Sequence, residues 1–319
     1  MWKRGWKSSA NKWPNDECHT MNDGAIDDWV YTGRGVSPTL RWSFTVDAPL
    51  IDIRLGRETG EVIAADAAGV LSLLDRRGRV QSQSRTRHQY QRVAWSDNGT
   101  AGAAAYDNVM VGWFDRKLQF AWTREMPDEV TAISIDPHGT HLAIAMANGV
   151  NMVVSAENKK YSRFESVRPL RYIQLLATSR ELIGAADHGL VGRYALTGNI
   201  VWTEKSWSNV GDMAATADGR HVFLAGFTHG AQLFDGQAGK SRGSFVSDGT
   251  VNLIACGFTK KHLVVSTLER QLFFINDDGG LLWHLAPPED ITRVLMSPLG
   301  DWIICGFASG RIIRLDNSR

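Results

Sequence analysis

Cysteine is scarce in this chain: three residues in 319, at Cys18, Cys256 and Cys305. Cys256 and Cys305 sit inside apolar runs, so nothing resembles the paired framework that staples small secreted domains, and a reducing compartment, by default the cytoplasm, is expected. A dominant charge is lacking too. With 35 basic against 34 acidic residues the net charge is +1, which removes any global case for nucleic acid or a strongly charged partner. The 9 prolines avoid the apolar runs: Pro49, Pro127, Pro169, Pro287 and Pro288 fall between the repeating units described next, and Pro137 and Pro298 in turns, where a missing N–H costs no ladder bond. Lys3, Arg4, Lys7 and Lys12 precede no apolar segment, so neither a signal peptide nor a membrane span is expected.

What the chain has is glycine, 31 residues of it, set in a repeat. Residues 291–319 read as three short apolar runs, each closed by a turn residue. Residues 130–156 match them step for step and then continue into a fourth run. The turn after the first run recurs at Gly60, Gly99, Gly139, the pair Ser179-Arg180, Gly219, Lys260 and Gly300, in steps of 39 to 41 residues. The turn after the second keeps the same beat at Gly69, Asn108, Gly149, Gly189, Gly230, Glu269 and Gly310. Two independent markers therefore give seven units of about 40 residues with four short strands each, the pattern of a seven-bladed, all-β propeller whose blades bury their faces only against one another.

The seventh unit stops after three strands. Residues 40–46, Leu-Arg-Trp-Ser-Phe-Thr-Val, are expected to supply the fourth and close the ring, because an open sheet edge invites aggregation. Trp42 in that segment keeps step with Trp122, Trp202 and Trp283, at intervals of 80, 80 and 81. The domain reading is thus a polar, tryptophan-containing extension over residues 1–39 and one propeller over 40–319. Trp2, Trp6, Trp13 and Trp29 in the extension follow no helix or strand period, and their indoles are expected to lie against a partner or a groove of the propeller.

Ile-Ser-Ile-Asp-Pro-His-Gly (133–139), Ala-Ala-Thr-Ala-Asp-Gly (214–219) and Val-Leu-Met-Ser-Pro-Leu-Gly (294–300) resemble WD-repeat propellers. Third strands end in Leu74-Asp75, Phe114-Asp115, Phe234-Asp235 and Leu315-Asp316 where that family has Trp-Asp. The family's Gly-His pair before each unit is absent, so its His–Asp hydrogen-bond network is expected to be mostly missing. Residues 195–202 and 276–283, each ending in Trp, are similar instead to quinoprotein-like propellers, in which indoles dock between blades. Both resemblances imply the same architecture, and neither implies one activity, because propellers host many.

No phosphate loop or zinc spacing appears, the three cysteines are far apart, and no catalytic residue, metal or cofactor is assigned. The chain is read as a non-catalytic scaffold for protein partners, engaged through the extension and one face of the ring. That face is expected to be the one carrying the turns between second and third strands, where Asp66, Tyr106, Asp107, Asn148, Asp187, His188, His229 and Glu269 vary from unit to unit, as a binding surface requires. Two rivals stand beside this reading: an enzyme, hydrolase, lyase or quinoprotein-like, with its site in the central funnel, and a nucleic-acid-associated subunit using the cluster Arg76, Arg77, Arg79, Arg85, Arg87 and Arg92, which contains no acid.

Overall fold

A computed structural model describes residues 28–245 and 248–317. Seven antiparallel sheets follow one another around a ring, and each blade is a four-stranded meander. The first runs Leu50–Gly56, Glu61–Asp66, Val70–Leu74 and Val80–Arg85, and the pattern recurs through to Ile291–Met296, Trp302–Phe307 and Arg311–Asp316. Second strands such as Glu61–Asp66 and Trp302–Phe307 are buried at every residue, because neighbouring blades cover both of their faces. Outer strands such as Phe120–Glu125 alternate between exposed and half-buried, since one of their faces meets solvent.

The last blade is closed as its three strands demand. Thr39–Thr45 pairs antiparallel with Arg311–Asp316, placing Trp42 opposite Arg314 and Phe44 opposite Ile312. Four indoles then stitch neighbouring blades together. Trp42 donates its Nε1–H to the carbonyl of Arg76 (3.1 Å), Trp122 to that of Ala156 (2.7 Å), Trp202 to that of Gly236 (2.8 Å) and Trp283 to Oδ1 of Asn317 (2.8 Å). Every acceptor lies 34 residues ahead, just past the third strand of the next blade. At Gly239 (φ 71°) an added Cβ would fall 2.6 Å from the Trp202 ring, so glycine there serves both the left-handed turn and the docked indole.

Two details go beyond the sequence reading. Part of the extension is regular: Arg34–Gly35 adds a fifth strand to the sixth blade, Arg34 opposite His284 and Gly35 opposite Trp283. Just before it Val30 is fully buried and Trp29 meets Phe307 edge-on at 6.2 Å. Trp2, Trp6 and Trp13 lie outside the described residues. In the sixth blade the left-handed residue of the second turn is Arg270 (φ 58°), one place beyond Glu269.

Candidate functional site

The second turns and the connectors between blades open on one face of the ring. Among the eight residues expected to bind there, Asp66 and Tyr106 are buried, at 1% and 2% exposure. Asp66 Oδ1 accepts the N–H groups of Ala68 (3.0 Å) and Val70 (2.9 Å), so its carboxylate holds its own turn. Tyr106 stands edge-on to Tyr90 and Phe120 in the core. Asn148 is exposed and accepts the Val150 N–H (2.9 Å), and Asp107, Asp187, His188, His229 and Glu269 are exposed as well. Asp107 accepts the Gln89 N–H (2.9 Å) and meets His88 Nδ1 at 2.7 Å. That backbone bond, with His88 adding to it, holds the Asp107 carboxyl below its ordinary value against the opposing effect of burial. His188 meets Asn209 Oδ1 at 2.8 Å, His229 meets the Thr228 hydroxyl at 2.7 Å, and Glu269 accepts the Thr250 N–H at 2.7 Å. These bonds are local to each blade and its entry loop, so the eight are spread around the ring rather than gathered into one cluster.

A different row on the same face was missed in the sequence. The first residue of each second turn is Ala67, Asp107, Ala147, Asp187, Phe227, Leu268 and Ala308 in blade order. Five are small or acidic, while the adjacent fifth and sixth blades present Phe227 at 37% exposure and Leu268 at 56%. Trp207, 79% exposed, is on the connector into the fifth blade. The Ser208 hydroxyl accepts the Thr228 N–H (3.1 Å) and bonds the Thr228 hydroxyl (3.0 Å), which fixes the Trp207 loop to the Phe227 turn. The Phe227 ring reaches over Gly211, where a Cβ would fall 2.7 Å from it. The 40-residue beat, applied to this position instead of to the glycines, would have exposed the row.

The ring's inner wall forms a second feature. In six blades the first strand slips register near its start, a bulge that re-aims a side chain at the axis. The residues at that level are Asp52, Arg92, Ala132, Tyr172, Asp212, Leu253 and Arg293, with Tyr172 standing in the one blade that runs straight. Of these, Arg92, Ala132, Tyr172, Asp212 and Arg293 line an axial cavity of about 210 Å³, together with Arg54, Arg171 and Gln174. Asp52, fully buried, accepts from Arg293 Nε (2.8 Å), from Arg54 (3.2 Å) and from the Val93 N–H of the next blade (3.0 Å). Burial would raise its pKa, but Arg54, Arg293 and Arg92 together hold it below the ordinary value. Asp212 takes the same role between the fifth and sixth blades, accepting the N–H groups of Met213 (2.9 Å) and Ile254 (3.3 Å). There burial prevails over Arg293 and both hydrogen bonds, and the pKa is raised.

Folding pairs part of the arginine-rich edge with acids. Arg79 pairs with Asp75 (2.8 Å), Arg85 with Asp47 (3.2 Å), and Arg92 points into the axial cavity. Among the described residues no group of three or more His, Cys, Asp or Glu could hold a metal ion. Burial pushes the Cys256 thiol up to about 12, against Arg57, and raises that of Cys305 as well, so neither is a ready nucleophile. None of the described helices is long and apolar enough to cross a membrane.

No family model matches the chain, and no curated protein does. Among solved structures, the β-propeller domain of Myceliophteria thermophila Cps50 (Swd1) is similar with a TM-score of 0.75 and 16% identity, over 88% of this chain and 100% of that one. With 1861 solved chains matching this chain, the likeness identifies an architecture and leaves function to the residues on it.

Proposed function

We propose that this propeller is a non-catalytic module that holds another protein on the face of its second turns, within a larger assembly. The observation that carries the reading is the exposure of Phe227 and Leu268 on two neighbouring blades, where the matching turn positions elsewhere are alanine or aspartate, together with exposed Trp207 on the connector tied to the Phe227 turn. A monomer gains nothing from a solvent-facing indole at 79% exposure, whereas a partner's apolar anchors would bury it, and tryptophan is enriched among the residues that dominate interface energy. His188, His229 and Glu269 lie on the same or the adjoining turns and supply a polar rim. The likeness to the Cps50 (Swd1) propeller is compatible with this role.

The test is co-purification from the native source with wild type and with the triple variant Trp207→Ser, Phe227→Ser, Leu268→Ser. The expected result is loss of stoichiometric partners at unchanged melting temperature. Identical partner profiles would overturn the proposal.

A further inference from the structure

The axial cavity holds more positive charge than its own carboxylates neutralise. Arg54, Arg92, Arg171 and Arg293 line it, and the acids within reach are Asp52 and Asp212. Asp52 is committed to Arg54 and Arg293. Arg57, lower in the channel, is committed as well: it grips Asp97 through Nε and Nη2, at 2.9 and 2.8 Å. Arg92 and Arg171 have no carboxylate within ion-pair distance among the described residues. Arg92 donates only to the carbonyl of Gln91 (2.7 Å). These two belong to the second and fourth blades, and the third blade between them contributes Ala132 at the same level, so a small side chain separates two unmatched guanidinium groups.

We propose that the axial cavity is an anion site, in which Arg92 and Arg171 hold the phosphate-monoester dianion of a small organic ligand. Two planar forks facing one space suit a tetrahedral dianion, which each can bind bidentately. Gln174 shares the lining, but its amide is occupied in both directions by Ala215, at 2.9 and 3.0 Å, so the arginines carry the recognition. Ile133, Ile254 and Met213 offer an apolar wall to the carbon skeleton of the ligand. About 210 Å³ admits a small phosphoester but excludes a folded segment of protein. The present electrostatics agree: burial, and then the like charges of Arg293, Arg171 and Arg54, bring the Arg92 guanidinium down to about 10 despite Asp52, a strain that a bound dianion would relieve. This site is independent of the exposed face.

Isothermal titration with inorganic phosphate at constant ionic strength, with acetate as a monoanion control, tests it. The expected outcome is one phosphate per chain, no heat from acetate, and at least tenfold weaker binding by the double variant Arg92→Gln, Arg171→Gln. Because the substitutions remove like-charge repulsion, that variant should melt no lower than wild type without phosphate. Should it fail to fold, Arg92→Lys with Arg171→Lys keeps the charge and should bind phosphate more weakly but measurably. Undiminished phosphate binding by the glutamine variant, or equal response to phosphate and acetate, would overturn the proposal. So would a short polyglutamate peptide that binds and is not displaced by phosphate, since that would assign the channel to an acidic protein segment.

Discussion

The ring of residues around the channel and the ring of turn residues around its mouth share one repeat and invert each other's chemistry. The inner ring, Asp52, Arg92, Ala132, Tyr172, Asp212, Leu253 and Arg293, carries four charges on the channel wall, with Asp52 fully buried and Arg92, Asp212 and Arg293 half-buried. The outer ring, Ala67, Asp107, Ala147, Asp187, Phe227, Leu268 and Ala308, puts its two largest apolar side chains where exposure is high. Between them the blade cores obey the ordinary rule, with Ile63, Leu142, Ile303 and their equivalents fully or almost fully buried. Each ring departs from what folding alone requires. The inner departure is partly structural, because Asp52 and Asp212 also hold the next blade's backbone. The outer one has no structural use that its contacts reveal.

The sharpest way to break this contrast is Asp52→Asn, which strips the buried counter-charge from Arg54 and Arg293 and should cost about 3 to 5 kcal/mol in urea denaturation. A loss below about 1 kcal/mol would mean that the inner ring is not held by its charges. Next in size is Tyr106→Ala: although its turn lies on the face proposed to bind, the side chain is core, and about 3 kcal/mol should be lost.

Acid titration separates the two carboxylates. Asp212, its pKa raised, contributes stability that is present below its unfolded value near 3.8 and is lost as pH rises through the folded value. Asp52, its pKa lowered, contributes stability that is present above that unfolded value and is lost as pH falls through the folded one. Between pH 7 and pH 4, therefore, wild type should gain stability relative to Asp212→Asn, a trend that differential scanning calorimetry of both proteins would show or refute. The smallest effect is expected at the outer edge, where Arg79→Gln and Arg85→Gln remove exposed pairs and should each change stability by less than about 1 kcal/mol without altering partner retention.

Glycine and tryptophan made the architecture legible, because left-handed turns and interblade indole docking constrain residue type at fixed spacing. The closing strand could be placed for the same reason: Trp42 keeps the beat of Trp122, Trp202 and Trp283, and all four indoles reach 34 residues ahead. Its depth was less legible, for Trp42 is only half-buried while Trp283 is 2% exposed, and no linear pattern distinguishes them. The face was read through its polar residues, on the premise that variable polar turns bind. Asp66 and Tyr106 show why that premise is incomplete, since a turn residue can point inward to satisfy backbone N–H groups or fill a core. In the cluster at Arg76–Arg92 the absence of acids within the run concealed its partners: Asp75 flanks it, folding brings Asp47 from 38 residues away, and Arg92 begins the next blade.

Hydrogen exchange of the native complex against the isolated chain tests the binding face most directly. Slowed exchange is expected at residues 205–211, 226–230 and 267–270, the backbone that carries Trp207, Phe227 and Leu268. Protection at residues 76–87 or on the opposite turns around Gly99, Gly139 and Gly300, with none at those three segments, would contradict it.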